Sequence, residues 1–184
     1  GTQFTVCVVP DLSLRLYNLA FTNPISPYCT PAQVQLQFNW LGDVRSNNEF
    51  KVQLSDSSGA FGSPLQVGSF SGTATFPIQP ITANLPSVTG LHYRLRVVST
   101  NLVATSNEIG LQAFATPPAP LTSPVSANVC EGTKAPILRA IGQDLQWFSD
   151  AGLTNFLTSA DSLKISTLVS GQRKFYVTQG ANGC

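Results

Sequence analysis

The sequence predicts an all-β protein, built from antiparallel β-sandwiches in tandem. Apolar and polar residues alternate over residues 34–40, which is the period of two that a half-buried strand shows. The same alternation recurs in many short segments with turn residues between them, a spacing that is typical of a sandwich or a barrel. The 13 prolines are scattered through the chain and disfavour long helices.

The strand pattern can be followed along the whole chain. Besides residues 34–40, clear alternation covers residues 50–55 and 93–97. Weaker alternation predicts strands at residues 12–17, 65–70, 75–78, 109–114, 137–141, 145–148 and 174–178. Clusters of small polar residues and glycine predict turns at residues 56–59, 71–72 and 170–171.

A proline-rich segment divides the chain. Residues 116–124 contain four prolines and predict a stiff, extended linker. We expect one sandwich before it, at residues 25–115, and a second unit after it, at residues 125–184. The second unit has only about 60 residues, so it is either small or truncated. Residues 1–24 carry strand signals and a cysteine, and they either end a preceding domain or add an edge to the first sandwich.

Few residues are charged. Asp, Glu, Lys and Arg make up 10% of the chain, against about a quarter in a typical protein, so uncharged polar residues must cover most of the surface. The formal net charge is +1, which provides no basic field for a nucleic acid. No apolar run approaches the roughly 20 residues of a membrane-spanning helix, so we expect no membrane insertion. The chain contains no Met and begins at Gly1, which predicts a processed chain or a fragment.

Four cysteines, Cys7, Cys29, Cys130 and Cys184, predict disulfides. Four cysteines allow three connectivities, and their distribution favours two local pairs, Cys7–Cys29 and Cys130–Cys184. A zinc site would need closely spaced pairs of ligands, and the sequence has no such pair and a single histidine. Because disulfides persist in oxidising compartments, we expect the chain outside the cytoplasm.

Residues 85–97 resemble the late strands of fibronectin type III domains. In both, a Leu-Pro turn leads into a Tyr-x-x-x-Val strand. The order Cys130, Trp147, Cys184 resembles the Cys–Trp–Cys series of immunoglobulin domains. These resemblances imply tandem Ig-like or fibronectin III-like sandwiches, with Trp147 packed against a Cys130–Cys184 disulfide.

A sharper resemblance links both units to one group of proteins. Parts of each unit resemble repeat modules of very large surface proteins of Bacteroidetes bacteria, among them gliding adhesins exported by the type IX secretion system. The matching residues are 28–29, 48–61 and 93–96 in the first unit, and 129–133, 147–150, 175–178 and 182–184 in the second. In the Ig-like repeats that the second unit resembles, the two cysteines pair.

The resemblance implies a non-catalytic structural or adhesive repeat fragment, located outside the cell at its surface. Its partners would be neighbouring repeats of the same chain, together with a surface polysaccharide or a cell-surface or secretion-machinery protein. Two alternatives stay open. The chain could be a carbohydrate-binding or spacer module of a secreted multidomain enzyme, or a subunit of an extracellular filament whose edge strands accept a neighbour's strand.

The sequence contains no candidate catalytic, cofactor-binding or metal-binding residue. His92, the single histidine, lies at the start of a strand, and no G-x-S-x-G motif accompanies it. Asp56-Ser57-Ser58-Gly59 has one carboxylate, so a turn explains it better than a calcium loop, and Asp150-Ala151-Gly152 has the same interpretation. The other acids fall mostly in turns and at strand ends. We therefore expect neither an enzyme nor a cofactor.

Two features bear on binding and modification. Trp40 and Trp147 lie in apolar strand patterns, which favours core packing over a sugar-binding platform. Phe61 lies in a Gly-rich turn, where it could be exposed. Asp161-Ser162-Leu163 resembles the short motif used for O-glycosylation in Bacteroidetes, which makes Ser162 a candidate glycosylation site.

Overall fold

The computed structural model describes residues 14–24, 26–42, 44, 47–72, 78–123, 126, 128, 130, 133–165 and 172–184. The chain divides into two compact units, Gly1–Ala115 and Thr116–Cys184. Within the described residues all regular structure is β-strand, which confirms the predicted all-β class. No helix in these ranges is long and apolar enough to cross a membrane.

The described part of the first unit contains eight strands. They are β1 (Arg15–Phe21), β2 (Tyr28–Thr30), β3 (Ala32–Leu41), β4 (Glu49–Leu54), β5 (Leu65–Ser71), β6 (Ile78–Leu85), β7 (Gly90–Ser99) and β8 (Ile109–Ala115). The clearest predicted strands, at residues 34–40, 50–55 and 93–97, correspond to β3, β4 and β7. Their alternation has the predicted effect: β3 buries Val34, Leu36 and Phe38 and turns the intervening glutamines outward.

These eight strands form two sheets. One has three strands in the order β1-β3-β6, and the other has five in the order β2-β8-β7-β4-β5. Neighbouring strands are antiparallel except β2 and β8, which pair in parallel with Tyr28 opposite Ala113. In the five-stranded sheet Val52 lies opposite Val97, and both side chains are fully buried. This register gives the sheet one apolar face and one polar face.

The apolar core lies between the two sheets, so the first unit is a β-sandwich. Phe38 from the three-stranded sheet and Phe50 and Leu95 from the five-stranded sheet are all fully buried. The ring centroids of Phe38 and Phe50 are 5.1 Å apart, and the Trp40 ring lies 5.9 Å from Phe50. Burying one such side chain contributes about 1.5–3 kcal/mol, so this aromatic cluster is a main source of stability. Trp40 packs against the core, as the sequence predicts.

Asn107 caps β1, which is an edge strand of the described three-stranded sheet. Asn18 adopts a left-handed backbone conformation (φ 54°) and forms a bulge in β1 between Tyr17 and Ala20. The bulge leaves Leu19 out of the register with β3, and Asn107 pairs with Leu19 instead. The Leu19 amide donates to Asn107 Oδ1 at 2.8 Å, and Asn107 Nδ2 donates to the Leu19 carbonyl at 3.1 Å. One side chain thus takes the place of a neighbouring strand.

The edges formed by β5 and β6 are also protected. Pro80 lies in β6 opposite Gln37, and it has no N–H that could bind a further strand. Gly68 in β5 approaches β6 so closely that a Cβ atom there would lie 2.2 Å from the Thr82 carbonyl oxygen. Strand addition at these two edges is therefore hindered.

The second unit contains two small sheets. Its described strands are β9 (Leu121–Ser123), β10 (Leu138–Ile141), β11 (Gln146–Phe148), β12 (Phe156–Thr158), β13 (Ser162–Leu163) and β14 (Tyr176–Thr178). The sheets have the orders β13-β10-β9 and β12-β11-β14. Ala140 and Leu163 from the first sheet and Trp147 from the second form one buried cluster with Leu145. Trp147 is 2% exposed, and its indole N–H donates to the Ala160 carbonyl at 2.9 Å.

Several elements differ from the sequence-based expectation. The predicted linker at residues 116–124 is wrong in part, because residues 121–123 form β9 and pair with β10. The predicted strand at residues 75–78 lies outside the described residues except for Ile78, where β6 begins. Strands β2, β12 and β13 were not predicted, because two or three residues are too few to show a period. Residues 12–13 and the predicted turn at 170–171 lie outside the described residues.

The placement of the N-terminal segment, which the sequence leaves open, is resolved for part of it. β1 pairs with β3 from Arg15 opposite Leu41 to Phe21 opposite Leu36. It also contributes the buried residues Leu16 and Leu19 to the core between the sheets. Residues 15–21 therefore belong to the first sandwich.

The predicted pairing of Cys130 with Cys184 is wrong. Cys130 is a free, exposed thiol, whereas Cys29 and Cys184 are disulfide-bonded. Cys130 lies between β9 and β10, outside both small sheets, and its carbonyl accepts a hydrogen bond from the Thr133 hydroxyl. The core around Trp147 is accordingly built from apolar side chains and not from a disulfide at Cys130. Cys7, the predicted partner of Cys29, lies outside the described residues.

Candidate interaction surface

The outer side of the five-stranded sheet is polar. Alternate residues of β4, β5 and β7 point inward, so the residues between them share the opposite side. We call this surface the polar face; its members are Lys51, Gln53, Gln66, Ser69, Arg94 and Arg96. Cross-strand pairing brings Gln53 next to both Arg96 on β7 and Gln66 on β5. Amides and cations are therefore concentrated at the middle of the face.

Arg96 is held in one orientation by two contacts. Its guanidinium carbon lies 4.0 Å from the ring centroid of Phe61, which is the geometry of a cation–π contact. Its Nε donates to Gln53 Oε1 at 2.9 Å. Among the described residues no carboxylate pairs with Arg96. The first contact is with the face of the Phe61 ring, and the second uses the Nε–H of the guanidinium. The two terminal nitrogens are therefore available for a ligand.

The other cations of the polar face have carboxylate partners. Arg94 Nη1 lies 2.9 Å from Glu108 Oε2, and Lys51 Nζ lies 3.3 Å from Glu49 Oε2. Both pairs are partly exposed, so each is expected to add less than about 1 kcal/mol to stability. Their main effect is electrostatic, because each glutamate reduces the positive potential around its partner.

The loop between β4 and β5 is organised by Asp56. Its Oδ1 accepts hydrogen bonds from the Ser58 hydroxyl at 2.7 Å, the Ser58 amide at 2.9 Å and the Ala60 amide at 2.9 Å. These donors, the Ser58 hydroxyl first, lower the pKa of the Asp56 carboxyl from its ordinary value. The predicted turn is thus present, and one carboxylate oxygen is saturated by donors of its own turn. This pattern fits a turn and not a calcium loop.

The same loop is fixed to β7. The Ser55 amide donates to the Arg94 carbonyl at 2.9 Å, and the Arg94 amide donates to Ser55 Oγ at 2.8 Å. Gly59 has a φ of +90°, and a Cβ atom there would lie 2.9 Å from the His92 carbonyl oxygen, so the close approach requires glycine. The loop is therefore preorganised, and it places Phe61 beside Arg96.

A side groove opens at the end of the first sandwich. It has a volume of about 520 Å³ and is lined mainly by Leu14, Leu16, Tyr17, Leu41 and Ala104. Leu41 is 65% exposed and the nearby loop residue Val103 is 85% exposed. Leu14, at the start of the described residues, is part of its lining.

The second unit has a smaller groove on its β13-β10-β9 sheet. It has a volume of about 240 Å³, and its apolar members Leu121 and Ile141 lie opposite each other and are both strongly exposed. Ser162, the candidate glycosylation site, lies in the edge strand β13 opposite Arg139 and is half-buried. Asp161 before it is exposed and Leu163 after it is in the core.

The turn at Asp150 resembles that at Asp56. Asp150 Oδ1 accepts from the Asn155 amide at 2.7 Å, and Oδ2 accepts from the Thr154 hydroxyl at 2.9 Å. The Asn155 amide is the first cause of a lowered pKa of the Asp150 carboxyl. The carboxylate therefore closes the turn between β11 and β12, as the sequence predicts for this segment.

The remaining candidate residues are not brought together. His92 is exposed on β7, and Tyr28 is buried in the first core. Phe61 is half-buried beneath Arg96 and is not a free platform. No group of three or more His, Cys, Asp or Glu side chains that could hold a metal ion occurs in the described part of the chain. The sequence pattern does not mark Arg96 as a functional residue. Its spacing of two residues from Arg94 nevertheless predicts that both side chains lie on one face of a strand.

No protein-family profile and no curated protein sequence matches this chain. Among solved structures, it is similar to a marsupial T cell receptor, with a TM-score of 0.33 and 11% sequence identity. The similarity covers 89% of this chain and 61% of the receptor chain, so the chain spans less than two thirds of that receptor's length. The sandwich assignment does not depend on this similarity, because it rests on the sheets and cores described above.

Proposed function

We propose that this chain is a non-catalytic structural or adhesive repeat fragment of a large secreted surface protein of a Bacteroidetes bacterium. It spaces or presents a binding region outside the cell, at the cell surface. Neighbouring repeats of the same protein flank it, and a surface polysaccharide or a cell-surface or secretion-machinery protein is its contact partner.

The succession of two compact β units in one chain, each with its own apolar core, carries this proposal. Such an arrangement suits a spacer, because each unit has a core of its own and adds length to the chain. The disulfide-bonded Cys29 and Cys184 fit an oxidising, extracytoplasmic compartment. The resemblance of both units to repeats of gliding adhesins supports the proposed bacterial source and the proposed export by type IX secretion.

The protected strand edges favour a spacer over a filament subunit. A filament built by strand exchange needs an edge with free backbone groups. Pro80 removes a donor from the edge of β6, and Asn107 occupies both backbone groups of Leu19 in β1. A neighbour's strand would find no backbone donor at Pro80, and at Leu19 it would have to displace the Asn107 side chain.

The proposal is tested on intact cells that produce the parent protein. Antibodies against the folded chain should label these cells without permeabilisation, and labelling should be lost when type IX secretion is inactivated. Removal of the segment that encodes residues 14–184 should reduce attachment to surfaces, while the shortened protein still reaches the cell surface.

Two results would contradict this function. One is labelling that appears only after the cells are permeabilised. The other is unchanged attachment combined with loss of a polysaccharide-degrading activity from the culture fluid, which would support the module of a secreted enzyme instead.

We also propose that Ser162 carries an O-linked glycan in the native protein. Its position in an edge strand leaves one side of the serine near solvent. Peptide mass spectrometry of native material should find a sugar mass on the peptide that contains Ser162, and the Ser162→Ala variant should lack it. An unmodified Ser162 in native material would exclude the site.

A further inference from the structure

We propose that the polar face binds a carboxylated polysaccharide and that Arg96 receives the carboxylate. The inference rests on the proposed adhesive role and assigns a ligand class and a site to it. The site consists of Arg96, its two supporting residues Gln53 and Phe61, and the neighbouring amide of Gln66.

The geometry around Arg96 points to a planar anion. The guanidinium is always charged, and its plane is fixed by the Phe61 ring on one side and by the Gln53 oxygen at Nε. A fixed guanidinium can give two parallel N–H donors to one carboxylate, and little side-chain entropy remains to be lost on binding. The rigid loop that carries Phe61 preserves this orientation in the free protein.

The charge balance of the surface indicates one carboxylate per site. Arg94 and Lys51 are already paired with Glu108 and Glu49, so Arg96 supplies the uncompensated positive charge. A glycan that carries a single carboxylate on a sugar unit, among several hydroxyl groups, fits this pattern.

The chemistry of the surrounding surface favours a sugar over an acidic protein. Gln53 lies opposite Arg96 on β4, and Gln66 and Ser69 lie one strand further from Arg96, on β5. All three side chains are amides or hydroxyls. These groups pair well with sugar hydroxyls. The centre of a protein–protein interface is typically apolar and aromatic, whereas the Phe61 ring at this site is already covered by Arg96. Gln66 and Ser69 are exposed and Gln53 and Arg96 are partly exposed, so a polymer can reach these side chains.

The test measures binding of the whole 184-residue chain to polygalacturonate, with its methyl ester as a probe that keeps the sugar and removes the charge. Wild type should bind the acid form and bind the ester at least about tenfold more weakly. Arg96→Gln should lose at least about tenfold in affinity, and Arg96→Lys should also lose affinity because an ammonium lacks the fork of donors. Arg15→Gln, which removes an exposed arginine in β1, is the matched control and should change affinity less than about twofold.

Three results would overturn the inference. They are equal binding of the acid and the ester, equal losses in Arg96→Gln and Arg15→Gln, and tighter binding of polyglutamate than of polygalacturonate, which would indicate an acidic protein partner. The ester comparison uses the wild-type chain, so it does not depend on how well a variant folds. A failure here together with surface labelling and reduced attachment in cells would remove this ligand and leave the adhesive role standing.

Discussion

At the scale of single residues, Asn107 makes the backbone hydrogen bonds that a neighbouring strand would usually make. Its amide side chain pairs with both backbone groups of Leu19 at the bulge in β1. Because these backbone groups lie beside the core, losing their partner leaves them poorly hydrated. Asn107 therefore links the first strand of the sandwich to the connection before β8.

Replacement of Asn107 by Ala should destabilise the first sandwich. We expect the free energy of unfolding to fall by about 1–3 kcal/mol, since two backbone groups lose their hydrogen bonds. Urea denaturation followed by Trp40 fluorescence in a Trp147→Phe background measures this change. Asn84→Ala is the control, because the Asn84 side chain accepts an exposed hydrogen bond from the Gln33 side chain and not from the backbone of β1. Equal effects of the two substitutions would show that Asn107 does not hold β1.

Asp56 makes the stability of the first sandwich depend on pH. Hydrogen bonds from the Ser58 hydroxyl and the Ala60 amide lower its folded-state pKa below that of the unfolded chain. The carboxylate therefore stabilises the fold above the unfolded pKa, and this contribution is lost as the pH falls through the folded pKa. Stability should therefore decline below about pH 4, and this part of the decline should be absent from Asp56→Asn, which cannot titrate. Denaturation at a series of pH values measures it. The same decline in both proteins would rule out Asp56 as its source.

The free thiol of Cys130 allows a direct chemical test. Because this cysteine is exposed and unpaired, it should react with iodoacetamide in the native, unreduced chain. Cys29 and Cys184 should react only after reduction, because they are disulfide-bonded. Peptide mapping by mass spectrometry distinguishes these sites. Protection of Cys130 until reduction would restore the pairing that the sequence suggests.

At the scale of the strands, the close approach of β5 and β6 depends on Gly68. An added Cβ atom would overlap the Thr82 carbonyl, and its nearest neighbours are backbone atoms of Thr82 and Ala83, which cannot rotate aside as a side chain can. Gly68→Ala should therefore cost about 1–3 kcal/mol, as overpacking does. Gly110→Ala in β8 is the control, because an added Cβ atom meets nothing within 4 Å. Thermal unfolding of both variants measures the difference, and equal melting temperatures would refute this close packing.

Strands that are long and half-buried were the clearest in the sequence, and several short or interrupted strands were missed. β3, β4 and β7 each extend over at least six residues, so their period is visible. β6 was largely missed because Pro80 interrupts its pattern, although proline is tolerated in an edge strand. The sequence pattern places the residues of β9 in the linker, because prolines lie on both sides of them. In these cases tertiary pairing decides the structure, and the local sequence does not.

The same limit applies to the interaction surface. The sequence identified Phe61 as a residue of interest and placed Arg94 and Arg96 in one strand. It could not show that Phe61 lies beneath Arg96, because that contact depends on the path of the loop that Asp56 closes. Cross-strand register was also needed to bring Gln53 next to Arg96.

At the scale of the whole molecule, the two units have cores of very different size. The first core contains 18 buried residues among those described, and the second contains four, with Trp147 by far the largest. A core this small is vulnerable to the loss of a single side chain. The second unit should therefore be the weaker of the two.

Trp147→Ala should unfold or strongly loosen the second unit. We expect a loss of about 3–5 kcal/mol, which is the usual cost of removing a buried aromatic side chain. Hydrogen exchange followed by mass spectrometry should show faster exchange in β10 and β11. Peptides from β4 and β7 serve as the internal control and should keep their protection. Equal loss of protection in both sets would show that the chain unfolds as one cooperative body.

Pro80 and Asn107 have a further consequence if similar modules precede and follow this one. Tethered neighbours meet at effective concentrations of the order of millimolar, far above those of separate proteins. During synthesis and export, strands of one copy can then compete for pairing in another, which is a typical failure of repetitive chains. A strand edge that lacks a donor or is already capped gives such a competitor little to bind. Pro80 and Asn107 would then reduce the mispairing of strands between neighbouring modules while they fold.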